Sequence, residues 1–203
     1  MDAELLGRIA QDLELVDQVQ TRLVGDLRSQ VLDPSSPSRL SGWTVGSLLS
    51  HLARNADSVT RRLDASARGE RIDQYVGGAA ARAAEIEHGA HRTYEDLCAD
   101  VESSSAVLLA AARVMPEGAW TFATTAVSGI DQAAHVVLRR RIREVVLHHS
   151  DLNIGFEPDQ WPSEVVNELL LEGLPMLSSR TEPSALAGWL TGRASAPELA
   201  PFA

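Results

Sequence analysis

A chain with one cysteine, Cys98, cannot close an internal disulfide, which fits a reducing compartment. Basic residues are scarce as well: 18 Lys and Arg stand against 28 Asp and Glu, for a formal charge of −10. Such a chain is repelled by nucleic-acid phosphates and by anionic lipid. Its one basic cluster, Arg139-Arg140-Arg141 with Arg143, is short and interleaved with apolar residues. No stretch approaches the roughly 18–20 uninterrupted apolar residues of a membrane span. The start, Met1-Asp2-Ala3-Glu4, lacks the basic region and apolar run of a secretory signal. Sustained strand alternation and internal repeats are missing too. Together these absences argue against nucleic-acid and membrane partners and predict a cytoplasmic protein.

What is present is ordinary globular composition, 44% apolar and 23% charged over 203 residues. Leu6, Ile9, Leu13, Val16, Leu23 and Leu27 recur at spacings of three and four, with Gln20 the exception, so a long amphipathic helix covers the first 30 or so positions. Pro34, Pro37 and several serines turn the chain before Trp43. Thr44 is an N-cap for a second helix to about Ala67, with Val45, Leu48, Leu49 and Leu52 as its apolar face. A third helical region runs from about Ala79 to Val114, with a possible break at Gly89. Met115 to Asp131 reads as an irregular crossover, and a fourth helix spans about Gln132 to Leu152. The expected fold is all-α: a four-helix bundle over 1–155, with a short helical segment over 156–203 packing on it. In that segment helices are expected at about Ser163–Ser178 and Ser184–Thr191.

The fourth helix holds the informative spacing. Glu144 and His148 are four apart and Asp151 is three further on, so all three share one stripe beside the core face of Leu138, Ile142, Val145 and Leu152. A carboxylate and an imidazole one turn apart can converge on an ion, but two ligands do not complete a site. Bundle metal sites draw on facing helices. His51, at the edge of the second helix's apolar face and one turn before Asn55, is the natural third ligand. Two histidines and a glutamate with an open fourth position form the pattern of a catalytic zinc site.

The start Trp43-Thr44-Val45 and the run His51-Leu52-Ala53-Arg54-Asn55-Ala56-Asp57 resemble the mycothiol-dependent maleylpyruvate isomerase family. So does the run Arg143-Glu144-Val145-Val146-Leu147-His148-His149-Ser150-Asp151-Leu152. That family belongs to the DinB-like metal-binding four-helix bundles. Arg82-Ala83-Ala84-Glu85-Ile86-Glu87 is similar to its third-helix segment, and Ala185-Leu186-Ala187-Gly188-Trp189-Leu190-Thr191-Gly192-Arg193 to its C-terminal signature. The resemblance implies that His51, Glu144 and His148 hold zinc and that Arg193 grips a substrate carboxylate. It also implies that mycothiol serves as a thiol cosubstrate. One departure stands out. The family's larger C-terminal α/β domain has strands before the signature, whereas here Ser179-Arg180-Thr181-Glu182-Pro183 leads almost directly into it.

The implied reaction is thiolate addition to the double bond of an electrophile such as maleylpyruvate, rotation, and elimination of the trans product. Two alternatives remain: a mycothiol S-transferase acting on other electrophiles, and a non-enzymatic bundle stabilised by its metal. Asp151 either orients a ligand histidine, binds polar groups of the thiol cosubstrate, or caps the helix. Asn55 supports the site or is an ordinary polar residue. His149, about 100° around the helix from His148, packs or faces solvent. His88 and His91 lie on a solvated face, His135 is surface or core, and Cys98 is a buried, inert thiol. Phe156, Trp161 and Trp189 wall a pocket or anchor packing.

Overall fold

The computed structural model describes residues 2–200. Helix α1 (Ala3–Arg28) starts where the Asp2 carboxylate accepts from the Leu5 amide at 2.7 Å. Helix α2 (Val45–Ala67) is capped as expected by Thr44, whose hydroxyl accepts from the Ser47 amide at 3.1 Å. The third helical region is two helices, α3 (Gly78–Ala90) and α4 (Tyr94–Arg113). The break falls just after Gly89, because Thr93 caps α4 by accepting from the Asp96 amide. Gly89 instead lets α3 approach α2: a Cβ there would sit 2.3 Å from Ser50 Oγ, and one at Gly46 would sit 2.2 Å from the Ala90 carbonyl oxygen.

After α4 comes a 3₁₀ turn (Glu117–Thr121), then a hairpin where the sequence suggested irregular chain. Strands β1 (Ala123–Thr125) and β2 (Asp131–Ala133) pair antiparallel, with Thr124 opposite Gln132. Three-residue strands are too short to display alternation, which is why the sequence did not reveal them. Helix α5 (Ala134–Asp151) follows directly.

The long helices close a ring. Helix α2 packs on α4 and α5, and α1 packs on α5 and α4, while α3 lies against α2. Leu23, Leu48, Leu49, Leu52, Leu63, Leu97, Leu108, Leu138 and Ile142 fill the interior. Gln20, the break in the apolar pattern of α1, is buried among them, and its Oε1 accepts from Arg141 Nε at 3.0 Å.

The chain divides into two compact units, 1–158 and 159–203. The second carries α6 (Ser163–Gly173), a 3₁₀ turn (Leu174–Met176), α7 (Leu177–Arg180) and α8 (Pro183–Leu190). The single helix expected over 163–178 is interrupted because Pro175 cannot continue an α-helical hydrogen-bond ladder. Among the described residues of this unit there is no strand.

Candidate metal centre

Helix α2 delivers His51 from its buried side, with the ring 2% exposed and Trp43 edge-on to it at 5.7 Å. Helix α5 delivers Glu144 and His148 one turn apart. His51 Nε2 lies 2.8 Å from Glu144 Oε2, and His148 Nε2 lies 3.6 Å from the same oxygen. The two imidazoles meet nearly perpendicular, 82° apart, with centroids separated by 4.9 Å. One donor atom from each of the three residues falls within 4.8 Å of the others.

The surroundings set the protons. Burial opposes charge on His148, but Asp151 and Glu144 outweigh it and push the imidazole up to about 9. Asp151 does this through Oδ2, 2.9 Å from His148 Nδ1, which leaves Nε2 facing Glu144. Burial works to raise Glu144, yet the two imidazoles hold its carboxyl well below the usual range. Burial dominates at His51 and lowers it. Arg82 Nη2 reaches His51 Nδ1 at 3.1 Å; a guanidinium only donates, so Nδ1 accepts and Nε2 carries the proton given to Glu144. An ion held at Nε2 would displace that proton to Nδ1 and with it the Arg82 contact.

This donor set fits a divalent ion. Two imidazoles and an ionised carboxylate suit zinc and its neighbours, and the Asp151–His148 contact is the carboxylate–histidine support such ligands use.

The other singled-out residues divide cleanly. Asn55, 5% exposed, lies one turn beyond His51, and its Oδ1 accepts from Arg141 Nη1 at 3.0 Å. His149 points away from the cluster and stacks on Phe156 with ring centroids 4.1 Å apart; burial lowers it to about 4. His88 is exposed, and His91 is exposed beside Glu87. His135 Nδ1 lies 3.1 Å from the Trp120 carbonyl oxygen. Cys98 is half-buried, and burial raises its thiol. Arg193 is exposed in the second unit, with Nη1 donating to the Thr191 carbonyl. Trp189 is 42% exposed, and Trp161 is half-buried.

A cavity of about 350 Å³ opens beside the cluster, with His51 and Glu144 in its wall. The hairpin residues Ala126, Val127 and Ile130 form part of its rim. Arg62, Arg82, Arg140 and Arg141 line it. Reading the sequence for metal ligands passed over these arginines. A signal was available in the helical register: Arg62 stands eleven positions after His51, which puts the two about 20° apart around α2.

A family model, the mycothiol maleylpyruvate isomerase N-terminal domain, matches residues 13–153. The chain belongs to this family. Two crystal structures of a mycothiol-dependent maleylpyruvate isomerase, one of them of a histidine-to-alanine mutant, align with a TM-score of 0.76. They are 28% and 27% identical, and the alignment covers 81% of this chain and 68% of theirs. No curated protein sequence matches. Membership in the mycothiol maleylpyruvate isomerase family agrees with the expected all-α, DinB-like bundle, and it makes the chain homologous to an isomerase. No helix among the described residues is long and apolar enough to cross a membrane.

Proposed function

We propose that this protein is a metal- and mycothiol-dependent enzyme that isomerises a cis double bond in a small electrophile of the maleylpyruvate type. The observation that carries the reading is the convergence of His51, Glu144 and His148 at the wall of an arginine-lined cavity. Held by those three side chains, a divalent ion such as zinc supplies a Lewis acid that keeps a thiol in its thiolate form near neutral pH. The thiol is a cosubstrate: Cys98, half-buried with a raised pKa, is unsuited to the part.

The chain's own groups do the rest. Asp151 holds His148 by Nδ1, fixing the ring that offers Nε2. Glu144, kept ionised by the flanking imidazoles, stays an acceptor across the neutral range. The cavity arginines make the approach favourable for an anionic substrate despite the negative net charge of the whole chain. Thiolate addition lowers the bond order of the activated double bond, rotation follows, and elimination returns the thiol with the trans product.

A second reading, transfer of the thiol to an electrophile with release of the adduct, draws support from the second unit. Its described residues lack the strands that precede the signature in the family's larger C-terminal domain. A purely structural role for the metal is disfavoured by the opening of the cluster onto a cavity.

The test is ultraviolet measurement of maleylpyruvate loss by zinc-loaded protein with and without mycothiol. Turnover is expected to require mycothiol and to vanish in His148→Ala, which should also lose most of its zinc. Full zinc occupancy in His148→Ala sinks the ligand assignment. Stable thiol adducts in place of isomerised product select the transferase.

A further inference from the structure

The cavity beside the metal cluster contains a positive charge that the fold leaves unanswered. Arg62 is 2% exposed, yet no carboxylate pairs with it among the described residues. Its Nε donates to Thr124 Oγ1 at 2.7 Å, and its buried Nη2 has no hydrogen-bond partner. Burial lowers the guanidinium only to about 10, so the charge is present at neutral pH. A buried, partnerless guanidinium donor is expensive unless something arrives to meet it.

Arg141 shows what a structural buried arginine looks like in the same bundle. It donates to Gln20 Oε1, the Leu52 carbonyl, Asn55 Oδ1 and Ser105 Oγ. Nothing comparable surrounds Arg62. From the hairpin, Thr124, itself buried on β1, accepts from Nε and so fixes the plane of the fork.

Arg62 follows His51 and Asn55 along one stripe of α2, and all three line the same cavity. Among the lining residues Glu144 is the one carboxylate, set against Arg62, Arg82, Arg140 and Arg141. A volume of about 350 Å³ suits a small organic acid and lies at the low end for ligand sites.

We propose that Arg62, aligned by Thr124, binds a carboxylate of the electrophilic substrate within the bundle, with the substrate's reactive carbons lying toward His51 and Glu144. This subsite is built from residues of the first unit alone, and it makes anionic electrophiles the preferred substrates. The inference rests on the proposed function for the word electrophile, but the anion site itself does not depend on turnover.

The experiment is calorimetric titration of zinc-loaded, full-length protein with maleate, its neutral diamide and inorganic phosphate. Maleate should bind, and the diamide and phosphate should bind at least tenfold more weakly. Arg62→Met should weaken maleate at least tenfold, and Thr124→Val about threefold, since it frees the fork without removing the charge. Maleate should raise the melting temperature of the wild type and not that of Arg62→Met. Unchanged maleate affinity in folded Arg62→Met overturns the proposal, as does loss of affinity in Arg193→Met while Arg62→Met still binds. Phosphate binding as tightly as maleate overturns the carboxylate assignment. Should Arg62→Met fail to fold, Arg62→Lys replaces it, and unchanged maleate affinity there is equally fatal. Maleate binding through Arg62 without mycothiol-dependent turnover rejects the enzymatic reading and leaves the subsite standing. Turnover with an unaltered KM in Arg62→Lys rejects the subsite and leaves the chemistry.

Discussion

The two halves of α5 carry polar groups into the bundle in opposite ways. In the first half, Arg141 is wholly buried and its donors are met by four neutral acceptors on α1, α2 and α4. In the second half, Glu144, His148 and Asp151 are partly exposed and contact one another and His51. The first arrangement is closed around the guanidinium, whose donors are answered within the protein. The second gathers acceptors and imidazole nitrogens around one point, which suits an ion better than a fold. A buried polar group thus reads as structural when its partners are complete and as functional when they converge or are missing.

If that distinction is right, the largest effect of a substitution in α5 on folding comes from Arg141→Met. The side chain nearly keeps its volume, but Gln20 Oε1, Asn55 Oδ1 and Ser105 Oγ lose a buried donor. At about 1–3 kcal/mol for each buried group left unsatisfied, partly recovered by repacking, a loss of about 3 kcal/mol is expected. Thermal melting should then fall by roughly 6–12 °C for a chain of this size. An unchanged melting temperature would erase the contrast between the two halves.

Asp151→Asn probes the second half and should cost folding less than Arg141→Met does. The Asp151 side chain is 26% exposed, and its carboxylate meets His148 Nδ1 at 2.9 Å. Losing the carboxylate removes the support that orients the ring and raises its basicity, for which a 10–100-fold drop in metal affinity is typical. Competition with a chromophoric chelator measures it. A drop in melting temperature matching that of Arg141→Met, without a change in zinc affinity, would make the two halves alike.

Legibility in the sequence followed the same divide. The helices could be read because their faces repeat every three or four residues and because Thr44 is a strong cap. The stripe of Glu144, His148 and Asp151 could be read because it lies within one helix. His51 could be read as its partner because bundles place ligands on facing helices. The arginine-lined cavity was invisible for a different reason. Arg62, Arg82 and Arg141 come from three helices, and the rim comes from a hairpin of three-residue strands with no periodicity to detect. The run Arg139 to Arg143 reads as too short and too interleaved with apolar residues for a basic patch, and Arg141 within it is buried. The family resemblance implies His51, Glu144 and His148 as the ligand set and Arg193 for the carboxylate, and Arg193 is exposed in the second unit.

The last of these effects is also the most direct check on the protons of the cluster. In protein stripped by a chelator, His148 holds its proton up to about 9, because Asp151 and Glu144 outweigh the penalty of burial. That pairing stabilises the fold fully below the ordinary histidine value near 6.5, and the contribution is lost as pH rises through about 9. Zinc needs the neutral ring, so one proton must leave as the ion binds. Apparent zinc affinity should therefore rise about tenfold per pH unit from about 6.5 and flatten near 9, while the stripped protein loses stability over the same interval. Asp151→Asn should move the flattening point downward, since the carboxylate that raises His148 is gone. A zinc affinity independent of pH between 6.5 and 8.5 would mean that His148 is already neutral there, and the second half of α5 would then hold its ion without the proton exchange that its geometry demands.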